Sequence, residues 1–503
     1  MEQVQCVPVP TPLLANLFGA GTFFRQVTIE VLSDDTFLKI FRHYLDAIPR
    51  FWPTLASVCQ RWRRIVFASH RDLNIRLFCI HGTPVLKTLD FWPAALPIVV
   101  QYGGSPTLDP PAPEDEDNIV EALKQTDRAI SISLTVTSSL LEKLLISAIE
   151  GPFSELEDVA LLSRDRVQLP SAFLWGPCLR TLHLTGIAFP AHHQLLSSSR
   201  GLVDLQLHEV NPSHLLPETL TNVLSGLGQL RSLSLHFLYT DNYLPLPPLS
   251  GERIVLPVLN RFIFRGTTGT GYLGCLIDRI DAPRLVHIEY EVTPSEMVVS
   301  NLSKLNQFVG RIEMHKSLRL ATLTSDEGVF TMALVQPGAP TCFILRIFCK
   351  PFSKRRSLMA QICIHFSTFL VNVECLFIFS KRPSTVHDNN DCNQWREVIC
   401  QFESINLVCL AGDHLTTILR ALDGWGEAVL PSPRDLCVLQ PGPPHAHLRE
   451  AVVALMISRR LSGHPIAVEY RRTWDTGFRD LELVLPPATE SGTYMPSAST
   501  TAR

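Results

Sequence analysis

The chain has 503 residues, of which 46% are hydrophobic and 18% charged, and its formal net charge is −4. This length predicts roughly two to four domains with sizeable apolar cores. The small net charge excludes a general electrostatic affinity for nucleic acid, and the absence of any run of 18 apolar residues argues against a membrane-spanning helix.

Two features bear on the cellular compartment. Residues 1–25 are expected to form a poorly ordered arm, because Glu2 and three early prolines do not fit a secretory signal, although residues 3–24 carry no charge. The 13 cysteines occur singly, without a CxxC pair. Such a pattern is typical of small buried hydrophobes in a reducing compartment, which here means the cytoplasm or the nucleus.

Residues 27–68 carry the signals of two or three short amphipathic helices. Ser33 is placed to cap the first helix, Pro49 to end it and Pro53 to open the next. Apolar residues then recur at helical spacing: Phe37, Ile40, Phe41, Tyr44 and Leu45, followed by Leu55, Val58, Cys59, Trp62, Ile65 and Val66. A unit of ~40 residues buries little surface, so we expect its largest side chains to exceed what its own core can hide.

The stretches VLSDDTFLKIFRHYL and LASVCQRWRRIV together resemble an F-box, a motif that opens with Leu-Pro-x-Glu, continues with Ile-Phe and closes on Val-Cys-x-x-Trp-Arg. Ser33 stands where proline is usual, and the connection containing Pro49 and Pro53 is longer than in the family. The surrounding sequence is also similar to the large F-box families of mushroom-forming fungi. The matching positions are Leu32, Asp35, Ile40, Phe41, Val58, Cys59, Trp62 and Arg63.

The resemblance implies a helical module over residues 26–80 that binds the Skp-type adaptor of an SCF-type cullin–RING ubiquitin ligase. Large apolar anchors with a charged rim suit such a contact between helices and a groove. The alternative is that the same residues are buried within one larger domain, as in most amphipathic helices. The residues that the resemblance assigns to adaptor binding are Leu32, Ile40, Phe41, Val58, Cys59 and Trp62.

Residues 81–125 are expected to form a connector. Four prolines between positions 106 and 113 are followed directly by the acidic run at 114–117. Proline stiffness and repulsion between like charges predict an extended, solvated surface loop, with an acidic docking site as the alternative.

Residues 126–470 repeat the frame L-x-x-L-x-L, which predicts a curved α/β solenoid resembling leucine-rich repeats, with one strand and one helix per repeat. Frames begin 23–29 residues apart, at Ala129, Leu156, Leu179, Leu202, Leu230, Leu259 and Leu285. Helical patterns lie between them, with one apolar face made of Leu141, Leu144, Leu145 and Ala148, and another of Leu220, Val223, Leu224 and Leu227.

Beyond residue 300 the pattern is weaker. Frames beginning at Val373 and Ile405, a doubly buried strand TCFILRIFC and a late helix EAVVALMISRRL are assigned to the same solenoid. The polar residues 471–503 are expected to form a partly disordered tail.

Side chains between the frame positions are expected on the concave face of the solenoid, where partners of such proteins usually dock. Plain solvent exposure is the alternative for any one of them. The candidate target-binding residues are Asp158, Thr181, His183, Asp204, Gln206, Ser232, Ser234, Arg261, His287 and Glu289.

Three patterns in the sequence bear on chemistry. GTGYLG at 269–274, with Glu289 20 residues past its first glycine, matches a dinucleotide fingerprint but also fits a strand-to-helix turn inside one repeat. His208 and His236 follow the last frame residue of successive repeats and are expected to form a solvated pair rather than a metal site. No GxSxG, HExxH or Walker motif occurs, so neither a catalytic residue nor a cofactor is assigned.

The sequence therefore predicts a non-catalytic adaptor: the F-box-like module binds a Skp-type subunit, and the repeats present a target protein for ubiquitination. Two alternatives are an interaction scaffold with a helical cap, unrelated to ubiquitin, and a nucleotide-binding enzyme using the 269–274 turn.

Overall fold

The chain forms a mixed α/β fold that divides into two compact units. The computed structural model describes residues 29–102, 112–147, 151–170, 173–188, 194–211, 215–237, 253–267, 272–293, 298–312, 317–326, 329–338, 342–348, 352–380, 389–412, 415–423, 433–440 and 444–472. The first unit comprises Met1–Phe78 with Pro93–Pro97, and the second Cys79–Trp92 with Ile98–Arg503. The predicted arm at 1–25 and residues 473–503 of the predicted tail lie outside the described residues.

The described residues of the first unit form three helices and two 3-10 turns. They are a turn at Ile29–Val31, α1 (Asp34–Ala47), a turn at Pro49–Phe51, α2 (Trp52–Val58) and α3 (Gln60–Ala68). The predicted cap is confirmed, because the Ser33 hydroxyl accepts a hydrogen bond from the Thr36 N–H at 3.2 Å. Cys59 caps α3 in the same manner, its Sγ accepting from the Trp62 N–H at 3.5 Å.

An aromatic cluster fills the centre of the first unit. The Phe37 ring lies 5.7 Å from the Phe41 ring and 5.5 Å from the Trp62 ring, measured between centroids. Trp52 is also buried, and its indole N–H donates to the Arg76 carbonyl at 2.7 Å. The expectation that this unit cannot hide its largest side chains is therefore wrong for Phe37 and Phe41, because the three rings pack against one another.

The strands of the described chain are β1 (Leu77–Ile80), β2 (Ile98–Tyr102), β3 (Ala129–Thr135), β4 (Asp158–Leu162), β5 (Thr181–Thr185), β6 (Asp204–Val210), β7 (Ser232–Phe237), β8 (Ile254–Val255), β9 (Arg261–Thr267), β10 (Ile280–Asp281), β11 (His287–Thr293), β12 (Leu320–Asp326), β13 (Val329–Val335), β14 (Cys342–Phe348), β15 (Cys375–Ser380), β16 (Leu407–Gly412), β17 (Asp435–Gln440) and β18 (Ala467–Arg472).

The helices of the second unit, within the described ranges, are α4 (Val85–Phe91), α5 (Pro113–Leu123), α6 (Ser138–Ile146), α7 (Gln194–Ser198), α8 (Pro217–Ser225), α9 (Tyr272–Arg279), α10 (Val298–Gly310), α11 (Phe352–His365), α12 (Ser367–Leu370), α13 (Asn389–Ile399), α14 (Leu415–Asp423) and α15 (Ala446–Leu461).

Sixteen of the described strands form one mostly parallel sheet, in the order β1-β2-β3-β4-β5-β6-β7-β9-β11-β14-β13-β12-β15-β16-β17-β18. Each predicted frame from 129 to 285, and those at 373 and 405, supplies one of its strands. Frame residues such as Leu182 and Leu184 are buried, whereas their neighbours Thr181 and His183 are half-exposed. This alternation is what a strand with one apolar side produces.

The sheet departs from a uniform parallel array at β13. This strand pairs antiparallel with both β14 and β12, and the parallel order resumes where β12 pairs with β15. Met332, Ala333 and Leu334 are consecutive and all buried, so β13 has no alternating pattern to reveal it in the sequence.

The predicted loop before the repeats is wrong at its acidic end, because residues 113–118 form the first part of α5. Pro113 occupies its first turn, where a missing N–H is harmless, and the acidic run lies at the positive end of the helix dipole. Asp115 and Glu116 are buried rather than solvated: Asp115 accepts from the Gly82 N–H at 3.0 Å, and Glu116 lies 3.1 Å from the Lys143 Nζ.

The predicted apolar helix faces are confirmed in part. Leu141 and Leu144 of α6 and Leu220 and Leu224 of α8 are buried. Leu145, which is predicted on the same face, is 55% exposed, and Ala148 lies outside the described residues.

Candidate functional site

The residues predicted to bind an adaptor separate into exposed and internal positions. Phe41 is fully buried, with 0% of its surface exposed, whereas Ile40 and Val58 are 48% and 56% exposed. Cys59 is exposed, and Leu32 and Trp62 are half-buried. Phe41 therefore belongs to the interior of the first unit, and a direct contact with a partner is possible only at the other five positions.

Exposed apolar side chains are concentrated in this unit. Among the described residues, six of the eighteen large exposed hydrophobic side chains fall between positions 29 and 58. We call these six the exposed apolar set: Ile29, Val31, Ile40, Ile48, Phe51 and Val58. Single exposed hydrophobics are common on protein surfaces, but a local excess of them marks an interaction surface.

The basic residues beside this set have internal roles. The Arg61 guanidinium donates to the Leu32 carbonyl at 2.6 Å and to the Asp34 carboxylate at 2.7 Å, and it lies 4.9 Å from the centre of the Phe37 ring. Arg63 donates to the Ala56 carbonyl at 2.9 Å. These two arginines tie α3 to the start of α1 and to α2, so the exposed apolar set is presented by helices with a fixed arrangement.

The second candidate surface is the side of the sheet that carries the residues between frame positions, which we call the ladder face. Parallel in-register pairing stacks the ten predicted target-binding residues into two rows. Asp158, Thr181, Asp204, Ser232, Arg261 and His287 are successive partners in one row. His183, Gln206, Ser234 and Glu289 lie in the next row, with Ile263 between the last two.

Two of these ten are not available to a partner. Ser234 is buried, and Glu289 is 3% exposed. Glu289 is covered because it forms ion pairs with the arginines of the two flanking strands, at 3.1 Å from Arg265 and at closer range with Arg346. The other eight are half-exposed or exposed.

The carboxyl and guanidinium groups around Glu289 on the ladder face are equal in number. Burial opposes ionisation of this carboxyl, but its contact with His287 and the two arginine charges outweigh burial and lower its pKa to about 2. Glu291 lies 3.6 Å from Arg265 and 3.9 Å from Arg346, and burial raises its pKa. Two carboxyl groups thus face two guanidinium groups in a half-buried cluster.

A third row of the ladder face escaped the sequence prediction except for its two histidines. Thr185, His208, His236, Arg265 and Glu291 are successive partners, and each follows the last frame residue of its repeat. The prediction that the histidines adjoin is confirmed, with ring centroids 6.0 Å apart. The two histidines are half-buried rather than solvated. Burial is the larger cause, and the neighbouring His236 the next, of a pKa for His208 that is lowered to about 4.

Cys342, His287 and Glu289 form a line that has the residue types of a thiol nucleophile, a base and an orienting carboxylate. The Cys342 Sγ lies 2.9 Å from the His287 Nδ1, but the His287 Nε2 is 3.9 Å from Glu289, beyond a hydrogen bond. Burial, and then the Glu289 charge, raises the pKa of the Cys342 thiol to about 11. A protonated thiol with an unaligned base does not favour nucleophilic chemistry.

Between β14 and β17 apolar side chains occupy much of the ladder face, with Thr322 and Thr324 of β12 among them. Its strands there carry two buried clusters, one of Ala333, Val335, Cys342 and Ile344, and one of Cys409, Ala411, Cys437 and Leu439. Phe377 and Phe379 on β15 pack against the second cluster and remain half-exposed. The ladder face is thus mainly polar from β4 to β11 and largely apolar from β14 to β17, and it is charged again at Glu469 and Arg471 on β18.

The predicted nucleotide turn falls largely outside the described residues, since positions 268–271 are among those not described. Its last glycine, Gly274, lies inside α9. Glu289, the acidic residue at the expected distance for a ribose, is engaged by Arg265 and Arg346.

Within the described ranges, no three His, Cys, Asp or Glu side chains gather in a way that could hold a metal ion. In the same part of the chain, every helix is too short or too polar to cross a bilayer. Comparisons with protein-family models and with curated proteins find no match to this chain.

Proposed function

We propose that the protein is a substrate-recognition adaptor of an SCF-type cullin–RING ubiquitin ligase. In this proposal the first unit binds a Skp-type adaptor, and the ladder face of the second unit binds the target protein. The observation that carries the proposal is the exposed apolar set, because Ile40 and Val58 stand where the resemblance implies adaptor contacts and are about half exposed.

The arrangement of the first unit supports this assignment energetically. Fully burying an Ile or Val side chain contributes about 1.5–3 kcal/mol, so half-exposed side chains retain roughly half of that for a partner. Phe41 and Trp62 hold α1 and α3 together from within, with ring centroids 4.8 Å apart. A rigid pair of helices presenting apolar anchors loses little conformational entropy when it binds.

The role of the second unit is positioning. Bringing a bound target close to a ubiquitin-charged enzyme converts a bimolecular encounter into a local one, and it requires no bond chemistry from this chain. The eight accessible residues of the ladder face, together with Phe377 and Phe379, offer both polar and apolar contacts for a target protein.

Co-expression of the full chain with a Skp-type adaptor tests the proposal. The informative variant combines Ile40→Asp with Val58→Asp, because both side chains are exposed and their replacement leaves the aromatic cluster intact. We expect wild type to co-purify with the adaptor and the double variant to lose at least tenfold in the amount retained.

The chain offers a matched control on α15. Val453 and Ile457 are 52% and 55% exposed, so Val453→Asp with Ile457→Asp introduces the same two charges at the same residue types. This control variant is expected to retain the adaptor. A wild-type chain that does not bind, or equal retention by both double variants, would contradict the proposal and leave the scaffold alternative.

A further inference from the structure

A pair of cysteines lies side by side on the ladder face near the end of the sheet. Cys409 on β16 and Cys437 on β17 are direct partners in the parallel register. Neighbouring strands lie about 4.8 Å apart, which is within the roughly 4.4–6.8 Å between Cα atoms that a disulfide spans. Of the cysteines described on this face, Cys342 and Cys375 have only non-cysteine partners in register.

The surroundings favour a bond between these two thiols over separate reactions. Cys409 and Cys437 are 5% and 6% exposed, and Ala411 and Leu439 belong to the same apolar cluster. A small oxidant can reach a thiol at such a surface, whereas a bulky thiol reagent has little room. Formation of a disulfide between Cys409 and Cys437 is therefore sterically preferred over the reaction of either thiol with a bulky external thiol.

The two thiols are chemically unequal. The interaction between the two thiols raises the pKa of Cys409 and lowers that of Cys437, and burial adds to the first shift and opposes the second. The charge of Arg471 on the next strand further lowers the pKa of Cys437. One thiol is thus disposed to react as the thiolate and the other to supply a proton, a division of roles that suits disulfide formation.

We propose that Cys409 and Cys437 are a modification site, a dithiol that peroxide converts reversibly into a disulfide. The Cys437 thiolate attacks one oxygen of hydrogen peroxide and the O–O bond breaks, which gives a sulfenic acid and a hydroxide. The hydroxide takes up the proton that Cys437 released on ionising and leaves as one water. The Cys409 sulfur then attacks the sulfenic sulfur, and its proton leaves with the hydroxyl as a second water. Two thiols are oxidised, one peroxide is reduced to two waters, and a dithiol reductant reverses the step.

The bond would join β16 directly to β17 across the segment that contains α14. It would fix the spacing of these two strands within the apolar part of the ladder face. This inference does not depend on the proposed ligase function, because it concerns only the register and chemistry of the second unit.

Mass spectrometry of the full-length protein tests the proposal. The reduced protein is treated with hydrogen peroxide, alkylated and digested with trypsin, which cleaves after Arg420 and Arg434 and so separates the two cysteines. Cys400 shares the first peptide, and a Cys400→Ser background removes that ambiguity. We expect a cross-linked peptide pair, a loss of two hydrogens from the intact mass, and full reversal by dithiothreitol.

The Cys437→Ser variant is the matched control. It should fold with an unchanged melting temperature, form no cross-link, and leave Cys409 at least tenfold slower to oxidise than in wild type. Alkylation of both thiols in peroxide-treated native protein, while unfolded protein forms the bond, would overturn the proposal. So would oxidation of Cys437 to sulfinic or sulfonic acid without a cross-link.

Discussion

The Trp62 ring packs against the Phe41 ring with 4.8 Å between centroids and 60° between ring planes. Sequence reasoning had assigned both residues to a partner surface. Phe41 is fully buried in the first unit, whereas Trp62 is half-buried and keeps part of its surface open to a partner. Substitutions of Phe41 therefore test folding, substitutions of Ile40 or Val58 test binding, and substitutions of Trp62 affect both.

Phe41→Ala is expected to destabilise the first unit by about 3–5 kcal/mol, because it removes a fully buried ring from a small aromatic cluster. Ile40→Ala, one residue earlier and about half exposed, should cost less than about 1 kcal/mol. Urea unfolding followed by tryptophan fluorescence measures both. Equal destabilisation by the two variants would contradict the assignment of Phe41 to the core.

Arg61→Ala should cost about 1 kcal/mol, since its bonds to Asp34 and to the Leu32 carbonyl are only partly shielded from water. Arg64 reaches the same carboxylate only at 3.8 Å and is largely exposed, so Arg64→Ala should change stability by less than about 0.5 kcal/mol. Urea unfolding at low and at high salt distinguishes the two variants. The loss of unfolding free energy should persist at high salt for Arg61→Ala but not for Arg64→Ala.

The parallel strands were predictable because their leucines alternate. Leu182 and Leu184 face the apolar side and His183 the other, so one frame identifies the strand and both of its faces. The cap at Ser33 was predictable for a similar local reason. Both the strands and the Ser33 cap are determined by nearby residues in the sequence and not by contacts with distant elements.

Features set by tertiary context were not predictable. The acidic run at 114–117 resembles a solvated loop until Gly82 and Lys143 are brought to it from other segments. Phe41 and Ile40 are adjacent apolar residues of one helix, and only packing decides which is buried. The pairing of Arg346 with Glu289 required the register of β14 beside β11, which β13 and its antiparallel turn obscure in the sequence.

Glu289→Gln should destabilise the second unit by about 3 kcal/mol at neutral pH, because it leaves two half-buried arginines facing an uncharged amide. The pKa of Glu289 is lowered to about 2 from 4.5, so its contribution is complete above pH 4.5 and is lost as pH falls toward 2. Thermal unfolding should show the difference from wild type shrinking over that window. A difference between wild type and Glu289→Gln that stays constant over this pH range would contradict the assigned role of the Glu289 carboxylate.

His208 should make stability fall between pH 6.5 and 4. Burial, and then His236, lowers its pKa to about 4, so the unfolded chain binds a proton in this window before the folded chain does. His208→Gln should flatten the decline in unfolding free energy over that range. His447→Gln, at an exposed histidine, is the control and should leave the decline unchanged.

Site-specific photocross-linking measures the central claim most directly. A photoreactive phenylalanine analogue placed at Val58 of the full chain, irradiated in the presence of a Skp-type adaptor, should yield a covalent complex with it. The same analogue at Ile457, which is equally exposed on α15, should yield none. No cross-link from position 58, or equal cross-linking from both positions, would contradict the assignment of the first unit as the adaptor-binding surface.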